Sequence, residues 1–199
     1  MILKEVYDTV ELAWQILGKN IRVLELGDQR MKWHPDLIAK THFLNQGAVD
    51  HISIDINNKN GALPLDLSKD LRIKNPEWGK HYDLVTNYGT AEHVTGGIYE
   101  CYKNIHDCCR HNGLMINDGP PDCCCPWHSP YHYRPYFFPM LAKACGYQTL
   151  LFDCRVVRGR RGCVENKDMT LLIAMFKKVS DNEFIDKPTF EKLQGYTTI

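Results

Sequence analysis

IRVLELG (residues 21–27) decides the fold: six residues rich in β-branched chain and leucine, the length of one buried strand, closed by Gly27. Working outward, EVYDTVELAWQIL (5–17) places Val6, Val10, Leu12, Ala13, Ile16 and Leu17 on one helical stripe, and Gly18 stops it. On the other side Pro35 opens a second helical stretch, DLIAKTHFLNQG (36–47), ended by Gly47. VDHISIDI (49–56) reads as the next strand, NNKNG as a turn, and ALPLDL (62–67) as a brief extended piece. HYDLVTNYG (81–89) is a strand and GGIYECYKNIHDCCRHNG (96–113) a helix stopped at Asn112-Gly113. LMIND (114–118) is another strand, and PYFFPMLAKACG (135–146) a helix interrupted near Pro139. TLLFDCRVV (149–157) and MTLLIAMFKKV (169–179) are strands joined by a short arginine-rich turn, so they run antiparallel at one edge. Strand alternating with helix predicts an α/β, doubly wound, mostly parallel sheet with helices on both faces. One domain is expected over 1–199, with a core of about 20–178, an acceptor-side loop over 119–135 and a loosely docked polar tail from residue 180.

Composition narrows the class further. The 199 residues are 44% apolar and 11% aromatic, enough to fill one core and too much for a disordered chain. With 24 basic and 24 acidic side chains the formal net charge is zero, which gives no long-range pull toward nucleic acid or anionic membrane. No window approaches the 18 or so consecutive apolar residues that a membrane span needs, and the acid-bearing start MILKEVYDTVELAWQ lacks a small-residue cleavage site. Nine cysteines is an odd number at irregular spacing, so reduced thiols and a cytoplasmic location are expected.

In such a sheet ligands bind beyond the carboxyl ends of the strands, near the switch point beside the first strand. The residues there form a series: Glu-Leu-Gly after the first strand, Asp55 after the second, Asp66 in LPLDL, and Asn-Tyr-Gly-Thr after the next. No G-x-G-x-x-G or G-x-x-x-x-G-K-[ST] phosphate loop is present.

In order and spacing this series resembles the class I S-adenosylmethionine (SAM)-dependent methyltransferases over roughly residues 20–178. VLELG is similar to that family's first motif, ISIDI to its second, PLDL to its adenine loop, YDLVTNYGTAEHV to its fourth motif and NGLMIND to its fifth strand. The resemblance implies a Rossmann-like seven-stranded sheet in the order three-two-one-four-five-seven-six, with the last strand antiparallel. It implies SAM as cofactor, with Gly27 and Asp28 at the first turn and Glu25 toward the amino end. Asp55 and Ile56 would lie at the ribose, Asp66 and Leu67 at adenine, and Asn87, Tyr88 and Gly89 along the methionine side. In place of the family's further glycines stand Asp28, Gln29 and Arg30, so side chains of Asp28 or Gln29 are expected in the cofactor loop. Asp55 also fits a plain turn cap, and Glu92-His93 fits either an acceptor contact or a helix-start glutamate beside a packed histidine.

The most individual segment is 122–134, which holds Cys123, Cys124, Cys125, Trp127, His128 and His132. The His128-x-x-x-His132 pair suggests zinc, yet three adjacent cysteines lack the two-residue gap that lets thiolates converge on one ion, so no metal is expected there. The segment reads instead as an aromatic acceptor pocket of Trp127, Tyr131, Tyr133 and Tyr136 around a histidine base, or as a proline-stiffened cover. His93, His128 and His132 are the candidate bases. The expected function is methyl transfer to a small-molecule or sugar-like acceptor. Two rivals stand beside it: a non-catalytic module of the same fold, and a methyltransferase of nucleic acid or protein that uses the turn of Arg155, Arg158, Arg160 and Arg161.

Overall fold

A computed structural model describes residues 1–122, 128–161, 168–193 and 195–198. Ten strands and five α-helices follow in chain order: α1 (Asp8–Leu17), β1 (Ile21–Leu26), β2 (Arg30–Met31), β3 (His34–Ile38), α2 (Ala39–Gln46), β4 (Ala48–Ile54), β5 (Tyr82–Tyr88), α3 (Ile98–Cys108), β6 (Cys109–Gly119), β7 (Tyr131–Tyr133), α4 (Phe137–Cys145), β8 (Gln148–Arg161), β9 (Asp168–Lys177), α5 (Lys187–Lys192) and β10 (Tyr196–Thr198). The main sheet has the order β4-β1-β5-β6-β9-β8. β4, β1, β5 and β6 are parallel, and β9 runs antiparallel to both its neighbours.

Two apolar layers clamp this sheet, and the two-residue strand period sorts side chains between them. Along β9, Leu171, Ile173 and Met175 enter the layer under α1 and α2, while Leu172, Ala174 and Phe176 enter the one under α3 and α4. β1 divides likewise, Val23 to the first layer and Leu24 and Leu26 to the second. Each such buried side chain contributes roughly 1.5–3 kcal/mol. Among the described residues no helix is long and apolar enough to cross a membrane.

The sheet has six strands where seven were expected. The piece at 62–67 pairs with β4 only through the Ile54–Leu63 bridge, where Leu63 donates to the Ser53 carbonyl at 2.8 Å and accepts from Asp55 N–H at 3.1 Å. Pro64 follows without an N–H, and the ladder stops. The helix expected from Pro35 begins four residues later, because His34–Ile38 pairs with Arg30–Met31 as a hairpin. The third helix ends at Cys108 rather than at Asn112: Cys109 is extended and already pairs with Tyr82. Pro139 does not interrupt α4, since it lies in the first turn, where its missing N–H has no intrahelical acceptor.

The tail is seated rather than loose. Phe184 and Phe190 are buried against Tyr99, Tyr102 and Phe137, Asp186 caps α5 through the Thr189 N–H at 2.8 Å, and β10 pairs with β7. The arginine turn is also different. Arg155 lies on β8 and binds the Glu5 carbonyl, Asp8 and Asp153, while residues 162–167 and the side chains of Arg158, Arg160 and Arg161 lie outside the described part.

Candidate functional site

A cleft of about 660 Å³ opens at the carboxyl ends of β1, β4 and β5, where the sheet order reverses. Its walls include Asp28, Gln29, Asp55, Ile56, Asp66, Leu67, Gly89 and His93. These eight residues, all expected from the sequence at a cofactor or acceptor site, thus meet in one hollow.

Asp55 stands one residue past β4. Its Oδ2 accepts the Asp28 N–H at 3.0 Å and its Oδ1 the Asn57 N–H at 2.9 Å, so it caps its own turn and pins the loop after β1 at the same time. A carboxylate has about four acceptor positions, which leaves two on this cleft-lining residue. Asp66 is built alike: its Oδ1 accepts the Ser68 N–H at 2.9 Å, and hydrogen bonds from Ser68 hold its carboxyl below the usual range. Ile54, Ile56, Leu65 and Leu67 supply apolar wall between the two acids, and Ile56 is 79% exposed.

The first turn takes the shape its missing glycines dictate. Gly27 has φ +87°, and a Cβ there would collide with the Gln29 amide nitrogen and the Thr90 hydroxyl. Gln29, 4% exposed, occupies the inside of the turn, while the Asp28 carboxylate turns outward to the Asn60 amide. Gln29 is therefore the inward side chain of the loop, and its partner is Thr90, the last residue of the Asn-Tyr-Gly-Thr series, to which the sequence assigned no role.

Several expected residues lie beneath the cleft rather than in it. Glu25 is buried, with His51 Nε2 at 3.5 Å. Burial raises the Glu25 carboxyl well above its ordinary range and lowers His51 to about 3, both toward the neutral form. The Tyr88 side chain is turned into the core against α1, where its hydroxyl meets Thr9 Oγ1 at 2.8 Å. Asn87 is a brace: its amide donates to Asn117 at 3.2 Å and its carbonyl oxygen accepts the Ala91 N–H at 2.9 Å. His132 is buried on β7. Tyr131 and Tyr133 are core residues packed on Tyr196, Tyr102 and Phe137, which corrects the aromatic acceptor pocket; Tyr136 alone of those three is exposed. Cys123, Cys124, Cys125 and Trp127 lie outside the described residues.

Glu92, His93 and His128 cluster at one wall of the cleft, which His93 lines. The two imidazoles meet edge to face with centroids 4.9 Å apart, and Glu92 Oε1 lies 3.9 Å from His93 Nε2. Glu92 is 1% exposed; burial, with the Asp118 charge added, pushes it up to about 8. Burial also raises Asp118, at the end of β6, to about 7 despite the Gly89 N–H that it accepts. Burial and then His128 hold His93 below its usual value, so it is a neutral acceptor at pH 7. Asp118 lies in the strand end of LMIND that the sequence marks for inspection, although no role was assigned to it there.

The architecture and this strand-end cleft define the class I methyltransferase fold. No protein-family model matches the sequence, and no curated protein does. Solved structures do. The chain is similar over 89% of its length, and 79% of the other chain, to Burkholderia thailandensis 1,6-didemethyltoxoflavin-N1-methyltransferase, solved with 1,6-didemethyltoxoflavin and S-adenosylhomocysteine (TM-score 0.62, 14% identity). It is similar to a SAM-dependent methyltransferase from Archaeoglobus fulgidus (TM-score 0.53, 13% identity, 86% and 94% covered). A TehB-like SAM-dependent methyltransferase from Corynebacterium glutamicum is alike at TM-score 0.53 and 15% identity, with 89% of each chain covered. At these identities the likeness establishes the fold.

Proposed function

We propose that the protein is a SAM-dependent methyltransferase acting on a small-molecule acceptor. The carrying observation is Asp55: a strand-end carboxylate at the switch point, oriented by two backbone N–H groups, with acceptor capacity remaining on the cleft side. The cleft volume suits one cofactor-sized ligand, since such pockets run to roughly 300–1,000 Å³. Bound there, SAM supplies an electrophilic methyl group on a sulfonium sulfur. The chain's own task is alignment. Asp55 would accept from the ribose hydroxyls, the Ile54–Leu67 wall would hold adenine with Asp66 near its amino group, and the Gly27 and Gly89 turns would bring backbone close to the methionine portion. Glu92, His93 and His128 face the acceptor, where a proton must be accepted if the nucleophile carries one.

Support for a small acceptor comes from the Burkholderia relative, solved with 1,6-didemethyltoxoflavin. Buried thiols at Cys101, Cys108, Cys109 and Cys145 suit a reducing compartment, the cytoplasm. One observation favours a non-catalytic module instead: the Gln29 amide fills the inside of the first turn.

Calorimetric titration with SAM and S-adenosylhomocysteine separates the two. Micromolar binding is expected, weakened at least tenfold, about 1.4 kcal/mol, by Asp55→Ala and less by Asp55→Asn, which keeps one acceptor oxygen. A folded protein that binds neither ligand overturns the reading.

A further inference from the structure

We propose that Glu92, His93 and His128 form a site for one divalent first-row transition-metal ion at the acceptor end of the cleft, and that this ion carries an oxygen atom of the acceptor. The donor atoms of the three side chains all lie within 4.8 Å of one another. Donors around one tetrahedral ion, at about 2.0–2.2 Å each, stand about 3.3–3.6 Å apart, so the exposed imidazoles close the set by rotating inward.

A second observation points the same way. Glu92 Oε2 is buried and receives no hydrogen bond, and a buried carboxyl oxygen without a partner is costly. A cation bound by this carboxyl group, whose Oε1 lies 3.9 Å from His93 Nε2, would displace its proton and offset that cost. The two neighbouring donors are also held in advance. Glu92 and His93 sit on a single tight turn, fixed by the Asn87 side chain on Ala91 N–H at 2.9 Å and by His93 N–H on the Thr90 carbonyl at 3.0 Å. His128 approaches from the opposite loop, its ring against His93.

Two imidazoles and one carboxylate select ions such as zinc, cobalt, iron(II) or manganese over the oxygen-loving magnesium and calcium. Three protein ligands leave positions open, the arrangement of a metal that handles substrate rather than one that staples a fold. The ion's role rests on the methyltransferase reading; its binding does not. An acceptor hydroxyl on an open position gives its proton to solvent at lower pH than a free one. Its oxygen then forms the O–CH₃ bond as the S–CH₃ bond breaks, and that electron pair stays on sulfur.

Cobalt(II) is the probe, because the near-ultraviolet thiolate-to-cobalt band distinguishes cysteine ligation from imidazole and carboxylate. The reduced full chain is titrated with cobalt chloride and followed by visible absorption and calorimetry, with circular dichroism to verify each variant's fold. One site per chain without a thiolate band is expected. Glu92→Gln, His93→Asn and His128→Asn should each weaken it at least tenfold. The surface variant His111→Asn and the triple variant Cys123→Ser, Cys124→Ser, Cys125→Ser should leave it intact. A thiolate band lost in the triple variant, binding indifferent to the two histidine variants, or no binding at millimolar cobalt overturns the proposal. S-adenosylhomocysteine titrated into the same samples keeps the two readings apart: cofactor binding without metal sinks only the metal site, and metal binding without cofactor sinks only the methyltransferase.

Discussion

The Gln29 side-chain amide donates to Thr90 Oγ1 at 3.0 Å, and the Thr90 hydroxyl donates in turn to the Leu26 carbonyl at 2.9 Å. This chain of bonds ties the loop after β1 to the loop after β5 directly over Gly27. The space there admits no Cβ, and φ +87° is strained for any side chain. Gly27→Ala is therefore expected to cost about 1–3 kcal/mol in urea denaturation and to weaken S-adenosylhomocysteine binding at least tenfold. A destabilised variant with undiminished affinity would mean that the cofactor does not use this turn.

Ile56 separates binding from stability. Its side chain is 79% exposed at the lip of the cleft, so Ile56→Glu should leave stability within about 0.5 kcal/mol of the parent. Placing a charge against the face of adenine should still weaken S-adenosylhomocysteine several-fold by calorimetry. Equal affinities would move the adenine site elsewhere.

What the sequence made legible follows from the range of the interactions involved. The strands of the main sheet could be read because each is a short run rich in β-branched and leucine residues bounded by turn residues, and Asp55 could be placed because a strand end is a local feature. The β2–β3 hairpin could not, since the helical spacing of Leu37, Ile38, Phe43 and Leu44 conceals that His34–Ile38 is held extended by Arg30 and Met31. Tyr131 and Tyr133 looked like pocket residues because aromatic composition does not reveal direction; they became core once the tail brought Phe190 and Tyr196 beneath them. The meeting of Glu92 and His93 with His128 depends on a contact 35 residues away in the chain, which no spacing rule reaches.

Lys178 shows a cation used as a structural tie. Its buried ammonium donates to the His106 carbonyl at 2.7 Å and the Cys109 carbonyl at 3.0 Å, closing the end of α3 where helical carbonyls lack partners. Lys178→Met keeps the bulk and leaves both carbonyls without this donor. A loss of about 2–6 kcal/mol is expected in urea denaturation, at about 1–3 kcal/mol for each of the two orphaned groups. Cofactor affinity should not change, because Lys178 does not line the cleft. A stable Lys178→Met protein would show that the carbonyls find other donors.

His106 makes that same corner sensitive to acid. Its Nε2 donates to the Asn182 carbonyl at 2.8 Å and its Nδ1 lies 2.7 Å from the Tyr147 hydroxyl, from which the neutral ring accepts. Burial, with the Lys178 ammonium adding to it, lowers the ring to about 4 from the usual 6.5; the Asn182 bond and Asp107 oppose, and Lys103 assists. Because folding lowers this pKa, the unfolded chain binds the extra proton first. The stability His106 contributes is complete above pH 6.5 and is lost as pH falls toward 4, by about 1.4 kcal/mol per pH unit. His51, lowered to about 3, acts with the same sign, while the raised Glu25 carboxyl acts against it, so the raw stability curve is a sum. The comparison with His106→Gln removes the common part, since glutamine offers one acceptor and one donor and does not titrate. The variant should be less stable at pH 7.5, and the gap should narrow by pH 4.5 in paired urea denaturations. A gap that stays constant or widens would show that the folded protein carries His106 protonated.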